Sequence, residues 1–203
     1  MYANDIKSST RYVTCGVPQG STLGPILFLL YINNLPSVTK FNTLLFADDT
    51  TLTLSNGSVR ELEKSVNSEL TNVVAWMQAN KLTINFKKTN FILFGDKTQR
   101  HSMNIFCSQQ TISQVDSVKY LGILIDSKLT WNSHLKHLGK KVASGASVLF
   151  KLQPFADIHL LRIVYFSLVY SHLIYGNLNW ATANWSSIAD LAKLNNRAIR
   201  SLL

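Results

Sequence analysis

The sequence predicts an α+β fold: an antiparallel sheet with helices over residues 1–130, then an all-helical region over residues 131–203. Three observations carry this. Alternating, β-prone segments cluster between Thr43 and Ile125, whereas after Trp131 the apolar residues recur three and four apart. The charge changes at the same place. Residues 131–203 hold eight Lys and Arg against Asp157 and Asp190, while residues 1–56 are balanced, with Lys7, Arg11 and Lys40 against Asp5, Asp48 and Asp49.

Taken in order, Gly16, Pro18 and Gly20 mark a turn. Ser21 or Thr22 can then cap a helix to about Asn33, with Pro25 in its first turn and Leu23, Leu27, Leu30 and Tyr31 on one face. Thr43 to Leu54 reads as two strands flanking Ala47-Asp48-Asp49, a hairpin with acids at its tip. Ser58 to Glu61 has the form of a capping box, and the helix it opens places Val59, Leu62, Val66, Leu70, Val73 and Met77 on one stripe. Lys81–Phe86, Asn90–Phe94 and Val118–Ile125 read as strands, and 95–114 as a surface loop with short pairings. Leu135, Leu138, Val142, Ala146 and Leu149 form a helical stripe. Asp157 caps a mostly apolar helix from Ile158 to about Tyr175, and Asn184 opens a last helix with Ile188, Leu191, Leu194 and Ala198 inward.

The 203 residues carry a net charge of +9, which favours a polyanionic partner without specifying a fold. Cys15 and Cys107, far apart, exclude a disulfide framework and a four-Cys zinc site and point to a reducing compartment. The longest apolar run, Ile26–Ile32, is far short of the roughly 20 residues of a membrane span. No basic-then-apolar leader follows Met1. The chain therefore reads as soluble and intracellular, nuclear or cytoplasmic, with no membrane partner and an open oligomeric state.

Asp48 and Asp49 stand in a segment where Asp is disfavoured. Adjacent carboxylates repel and lose hydration there unless a cation offsets both. A divalent ion does so, and Mg²⁺ accepts a few carboxylates together with substrate phosphates. An Asp pair is also a common turn, so the doublet alone leaves both readings open.

Five segments in order resemble the reverse transcriptases of non-LTR (LINE-type, jockey-like) retrotransposons. They are Gly16–Pro36 with its Pro18-Gln19-Gly20 core; Phe46-Ala47-Asp48-Asp49; Trp76–Leu82 with Asn85–Thr89; Lys119–Asp126; and Leu129-Thr130-Trp131 with His134. The resemblance implies a partial polymerase palm over residues 1–130 and a thumb over residues 131–203. It implies an RNA template, a DNA primer and a deoxynucleoside triphosphate as partners, with two Mg²⁺ ions in the intact enzyme. Two such ions, about 3.5–4 Å apart, serve the attacking and leaving oxygens of an in-line displacement.

Carried over residue by residue, Asp48 would be the metal ligand and Asp49 its less direct partner. Gln19 and Gly20 would line the nucleotide and template side. Phe46 would fill the position before the acids, and Lys88 would sit by the leaving pyrophosphate. Tyr120, Leu121 and Gly122 would brace the primer end. The family's first palm motif, with its own Asp, lies upstream of Pro18. Here that stretch holds Asp5 alone, so weak metal binding and little or no polymerase activity are expected of this chain. A non-catalytic nucleic-acid-binding protein is the alternative, with Lys136, Lys140 and Lys141 on phosphates, and a retrotransposon remnant is another.

Plainer readings stand beside these. Lys88 could be a solvated strand-end lysine, Tyr120 a core aromatic and Gln19 a helix cap. His134 and His137 read as a solvated helix face for want of a third metal ligand. Trp180 and Trp185 read as packing anchors, and the aromatics from Tyr165 to Tyr175 as core.

Overall fold

The computed structural model describes residues 2–3, 6–7, 16, 20–95 and 102–202, the first four by backbone alone. The chain forms two compact units, Met1–Thr89 with Met103–Ile112, and Asn90–Ser102 with Ser113–Leu203. About half of it is helical, with small sheets, as an α+β chain requires.

In the first unit, β1 (Tyr2–Ala3) pairs antiparallel with β2 (Ile6–Lys7). Helix α1 (Gly24–Ile32) starts later than the sequence predicts. Leu23 takes the N-cap without a side-chain bond, so neither Ser21 nor Thr22 caps it, although Pro25 does stand in its first turn. The expected stripe is not buried. Leu23, Leu27, Leu30 and Tyr31 are exposed, and Gly24 and Ile32 face inward. The helix is apolar all round, so its pattern gives no phase.

Strands β3 (Asn42–Phe46) and β4 (Asp49–Thr53) form the predicted hairpin in register Asn42↔Thr53 to Phe46↔Asp49. Helix α2 (Val59–Ala79) has Ser58 at its N-cap in an extended conformation, but the capping-box side-chain bond is absent. Leu70 and Val73 of its stripe are buried, with Ile32, Leu35, Phe41, Met103, Ile105, Cys107 and Ile112. One carboxylate ties the turn before β3 to this helix. Glu69, buried, accepts from Lys40 N–H (2.8 Å) and Thr39 Oγ1 (3.0 Å). The Lys40 N–H holds its pKa below the usual range against the opposing effect of burial.

Helix α2 ends with Lys81 in the left-handed region (φ 55°), and Leu82 N–H returns to Met77 O at 2.8 Å. This six-to-one closure normally recruits Gly. The chain leaves it as a loop and a turn, so the strand predicted for Lys81–Phe86 does not form.

The chain then lays down β5 (Asn90–Phe91), β6 (Ile105–Cys107) and β7 (Gln110–Gln114). The strand predicted for Asn90–Phe94 is thus cut to two residues. In the first unit β6 pairs antiparallel with Gln110–Ile112, and in the second β5 pairs parallel with Ser113 and Gln114. The outer edge of β6 is closed by α2. Asn67 accepts from Phe106 N–H (2.8 Å) and donates to Asn104 O (2.9 Å), and Glu63 accepts from Asn104 N–H (3.0 Å).

The second unit opens with β8 (Ser117–Tyr120) and β9 (Ile123–Asp126), an antiparallel hairpin where the sequence predicts one strand. Its helices are α3 (Asn132–Leu152), α4 (Ile158–Tyr165), α5 (Ser171–Ile174), α6 (Asn177–Trp180) and α7 (Trp185–Arg200). The α3 stripe is buried in full, and Leu191 and Ala198 of α7 pack with it. Asp157 Oδ1 caps α4 through Leu160 N–H (2.8 Å), as predicted. Phe166–Tyr170 is one π-helical turn that joins α4 to α5.

That turn lies over Gly145 of α3. A Cβ at Gly145 would sit 2.8 Å from both the Leu168 carbonyl oxygen and Val169 Cγ2. The π turn and the missing side chain together allow the backbones to approach. Gly145→Ala is therefore expected to cost about 1–3 kcal/mol of stability, as overpacking does, seen as a lower urea midpoint at unchanged slope.

Candidate functional site

The acids at residues 48 and 49 sit where the hairpin turns. Ala47 and Asp48 form a two-residue connection, with Ala47 at φ 51°, a conformation suited to the right-handed strand twist. Asp49 is the first residue of β4 and stands opposite Phe46, so both lie on one sheet face. Both carboxylates are exposed, and Phe46 beside them is 60% exposed. Among the described residues neither carboxylate has a hydrogen bond or ion pair, and no group of three or more metal-capable side chains occurs. Two adjacent, exposed carboxylates fit a hard divalent cation in kind and could supply part of its shell.

The remaining predicted residues lie on other elements. Gly20 stands in an exposed turn ahead of α1, and Gln19 lies outside the described residues. Lys88 is exposed in a turn closed by its N–H to Asn85 O (3.0 Å). In the second unit Tyr120 ends β8 opposite Ile123. Leu121 (φ 44°) and Gly122 (φ 86°) make the tight connection, a two-residue turn with both φ positive. Gly122 suits that backbone; Leu121 occupies it because its carbonyl is held, the Tyr175 hydroxyl donating to it at 2.6 Å. Lys136 and Lys140 lie one helical turn apart on α3, and they and Lys141 are exposed.

Downstream of β9 the backbone is held by one side chain that sequence reasoning did not single out. Asp126 accepts from Lys128 N–H (3.2 Å), Thr130 N–H (2.9 Å), Thr130 Oγ1 (3.1 Å) and Trp131 N–H (2.7 Å). Burial pushes this carboxyl up, and the hydrogen bonds from Thr130, Trp131 and Lys128 outweigh it, so its pKa lies below the usual value.

Residues 1–125 match the profile of the reverse transcriptase (RNA-dependent DNA polymerase) family. The chain belongs to this family. It is 33% identical over 138 residues to the probable RNA-directed DNA polymerase from transposon BS of Drosophila melanogaster, a stretch covering 64% of this chain and 15% of that protein. It is 29% identical over 133 residues to that of transposon X-element (63% and 14%) and 27% over 140 residues to that of mobile element jockey (65% and 15%), both from the same organism. The chain thus spans about a seventh of the length of these curated relatives. No solved structure matches it. Reverse transcriptases generally use divalent metal ions, and the family implies a nucleic-acid template and nucleotide substrates. Among the described residues no helix is long and apolar enough to cross a membrane.

Two aromatic readings of this reverse-transcriptase chain need correction. Trp180 is buried, but Trp185, 78% exposed, is not a packing anchor; Tyr165 is core, but Phe166, Tyr170 and Tyr175 are exposed. His134 is corrected in the other direction. It is buried, its Nδ1 accepts from Leu124 N–H (3.3 Å), and its ring lies 6.2 Å from that of Trp180. Among the described residues its Nε2 has no partner. The imidazole is therefore neutral, with its proton on Nε2.

Burial lowers the His134 pKa, and His137 and Lys141 lower it further. A base whose folded pKa is depressed adds stability above its unfolded value and loses it as pH falls through that value. The unfolding free energy is thus expected to decline below about pH 6.5, tracked by urea midpoints between pH 5 and 8. His134→Asn, which keeps an acceptor and cannot be protonated, should flatten the decline. A remainder should persist from His172, which is shifted the same way by burial, Lys141 and His137.

Proposed function

We propose that the chain carries the metal-holding and primer-bracing portion of an RNA-directed DNA polymerase, residues 1–130 as part of a palm and residues 131–203 as a thumb. The observation that carries this is the Asp48–Asp49 pair, unpartnered among the described residues at the tip of an exposed hairpin inside the stretch matching the family. In the intact polymerase the primer 3′-hydroxyl attacks the α-phosphorus of a deoxynucleoside triphosphate templated by RNA, and pyrophosphate leaves. Asp48 and Asp49 would hold Mg²⁺, which would supply charge stabilisation for the displacement.

The protein's own groups do the rest. Gln19 can donate and accept toward the nucleotide and template, and Gly20 lets the backbone come close. Phe46 fills the position before the acids. Lys88 neutralises charge or donates a proton at the departing pyrophosphate. Tyr120, Leu121 and Gly122 brace the primer end. Lys136, Lys140 and Lys141 meet backbone phosphates, whose attraction falls with salt.

With two carboxylates alone, residues 1–203 bind metal weakly. No product is expected from them in a primer-extension assay on RNA with Mg²⁺ or Mn²⁺, and robust extension would overturn that. Mn²⁺ binding by paramagnetic resonance should nonetheless be measurable at high metal and lost in Asp48→Asn with Asp49→Asn.

A second reading, nucleic-acid binding without catalysis, is favoured by the helical region's surface. Lys136, Lys140, Lys141, Lys151, Arg197 and Arg200 are exposed, while Asp157 is used as a cap and Asp190 is paired with Lys193 at 2.9 Å. Binding of an RNA–DNA duplex, followed by anisotropy, should weaken in Lys140→Ala with Lys141→Ala. Its log–log salt slope should drop by about two, one per lost phosphate contact. Asp48→Asn should leave it unchanged. Salt-independent binding would remove the phosphate contacts from either reading.

A further inference from the structure

We propose that Tyr175 is a positioning residue for the primer end: with Gly176 it fixes the Leu121–Gly122 turn, and so determines where a 3′-terminal nucleotide on that turn is held. This rests on the primer-bracing reading of Tyr120, Leu121 and Gly122.

A two-residue hairpin turn with φ positive at Leu121 places an L-side chain in sparsely populated backbone space. Its carbonyl also lies outside the β8–β9 ladder. Tyr175 answers both needs by donating its hydroxyl to Leu121 O at 2.6 Å. The fit around that bond is close. A Cβ added to Gly122 would lie 3.4 Å from Tyr175 Cε1, and one added to Gly176 would run into Ile123 Cδ1. Gly176 itself has φ 62°, the backbone that turns the chain from α5 into α6.

The clamp is anchored from behind. Tyr175 O accepts from Trp180 Nε1 at 3.0 Å, and Trp180 is buried against His134, whose Nδ1 accepts from Leu124 N–H. Residues 121–124 are therefore held at one end by Tyr175 and at the other by His134, with Trp180 joining the two holders. The outer side of the arrangement is open: Tyr175 is 55% exposed and Gly122 is exposed. A nucleotide braced by the turn meets a surface that the Tyr175 ring continues.

The experiment uses the 203-residue chain and Tyr175→Phe, which keeps the ring and removes only the hydroxyl. The cooperative melt is the control for folding. Amide exchange at Ile123 and Leu124, paired in the ladder and bonded to His134, is expected to speed about fivefold, the equivalent of one lost neutral hydrogen bond. A primer–template carrying 4-thiothymidine at the primer 3′ end should crosslink to the peptide spanning residues 117–126. In the variant that crosslink should drop at least threefold, with duplex affinity by anisotropy within about twofold. A purely structural tyrosine would lower the melt and leave the crosslink per bound duplex unchanged. Unchanged exchange in Tyr175→Phe removes the positioning role and leaves the primer reading standing. No crosslink to residues 117–126 in the unaltered chain removes the primer reading itself, and the role of Tyr175 with it.

Discussion

Asp126 closes strand β9 with its carboxylate turned onward along the chain, where it collects three backbone N–H groups and one hydroxyl. Without it the following segment is unfavourable. Leu129 (φ 51°) and Trp131 (φ 62°) are both left-handed, at about 1–2 kcal/mol each for L-residues. Hydrogen bonds to a charged acceptor are worth about 1.5–3 kcal/mol, so this one side chain outweighs the strain of both. Its charge also lies beside the N-terminus of α3, where Trp131 offers no side-chain cap and a negative group is favoured. The direction in which α3 leaves the hairpin follows from that knot, and with it the burial of His134 and the exposure of Lys136 and Lys140.

The same knot explains why a buried histidine is useful there. Leu124 N–H needs an acceptor on the α3 side, and the neutral imidazole of His134, in the first turn of α3, supplies it. The cost is an unpartnered Nε2 against Trp180. The hairpin and the helices of the second unit are thus joined by directional bonds at residues 121, 124 and 126, beyond what packing provides. Non-directional burial would leave the turn free to slide; three separately aimed bonds fix its register against the helices.

What could be read beforehand divides by range. The β3–β4 hairpin, the stripes of α2, α3 and α7, and the Asp157 cap are set by residues within one turn of each other, and the sequence displays them. The doublet at 48–49 is legible for the same reason, since two acids in a β-prone run contradict their surroundings locally. Leu121-Gly122 lacks the Asn-Gly signature of a hairpin and reads as one strand, because what stabilises it is a hydroxyl 54 residues away. Lys81 ends α2 in a conformation that usually declares itself through Gly. His134 reads as solvated because its partners, Leu124 and Trp180, come from a strand and from a distant helix. The exposure of Trp185 and of the α1 stripe has no local signal at all.

Most of the described acids outside the β3–β4 hairpin have a structural task. Glu63 and Glu69 accept from strand and loop N–H groups, Asp126 knots the start of α3, Asp157 caps α4, and Asp190 pairs with Lys193. Each is spent on the fold. Asp48 and Asp49, adjacent and mutually repelling, serve no such purpose among the described residues. Glu61 makes no such bond but sits in the first turn of α2, where its charge favours the helix N-terminus; two acids at an exposed turn have no comparable role there, and Asn-Gly would form the hairpin with less repulsion. A cation held as proposed above would offset that repulsion, and residues 1–56 carry only Lys7, Arg11 and Lys40 to compete for the pair.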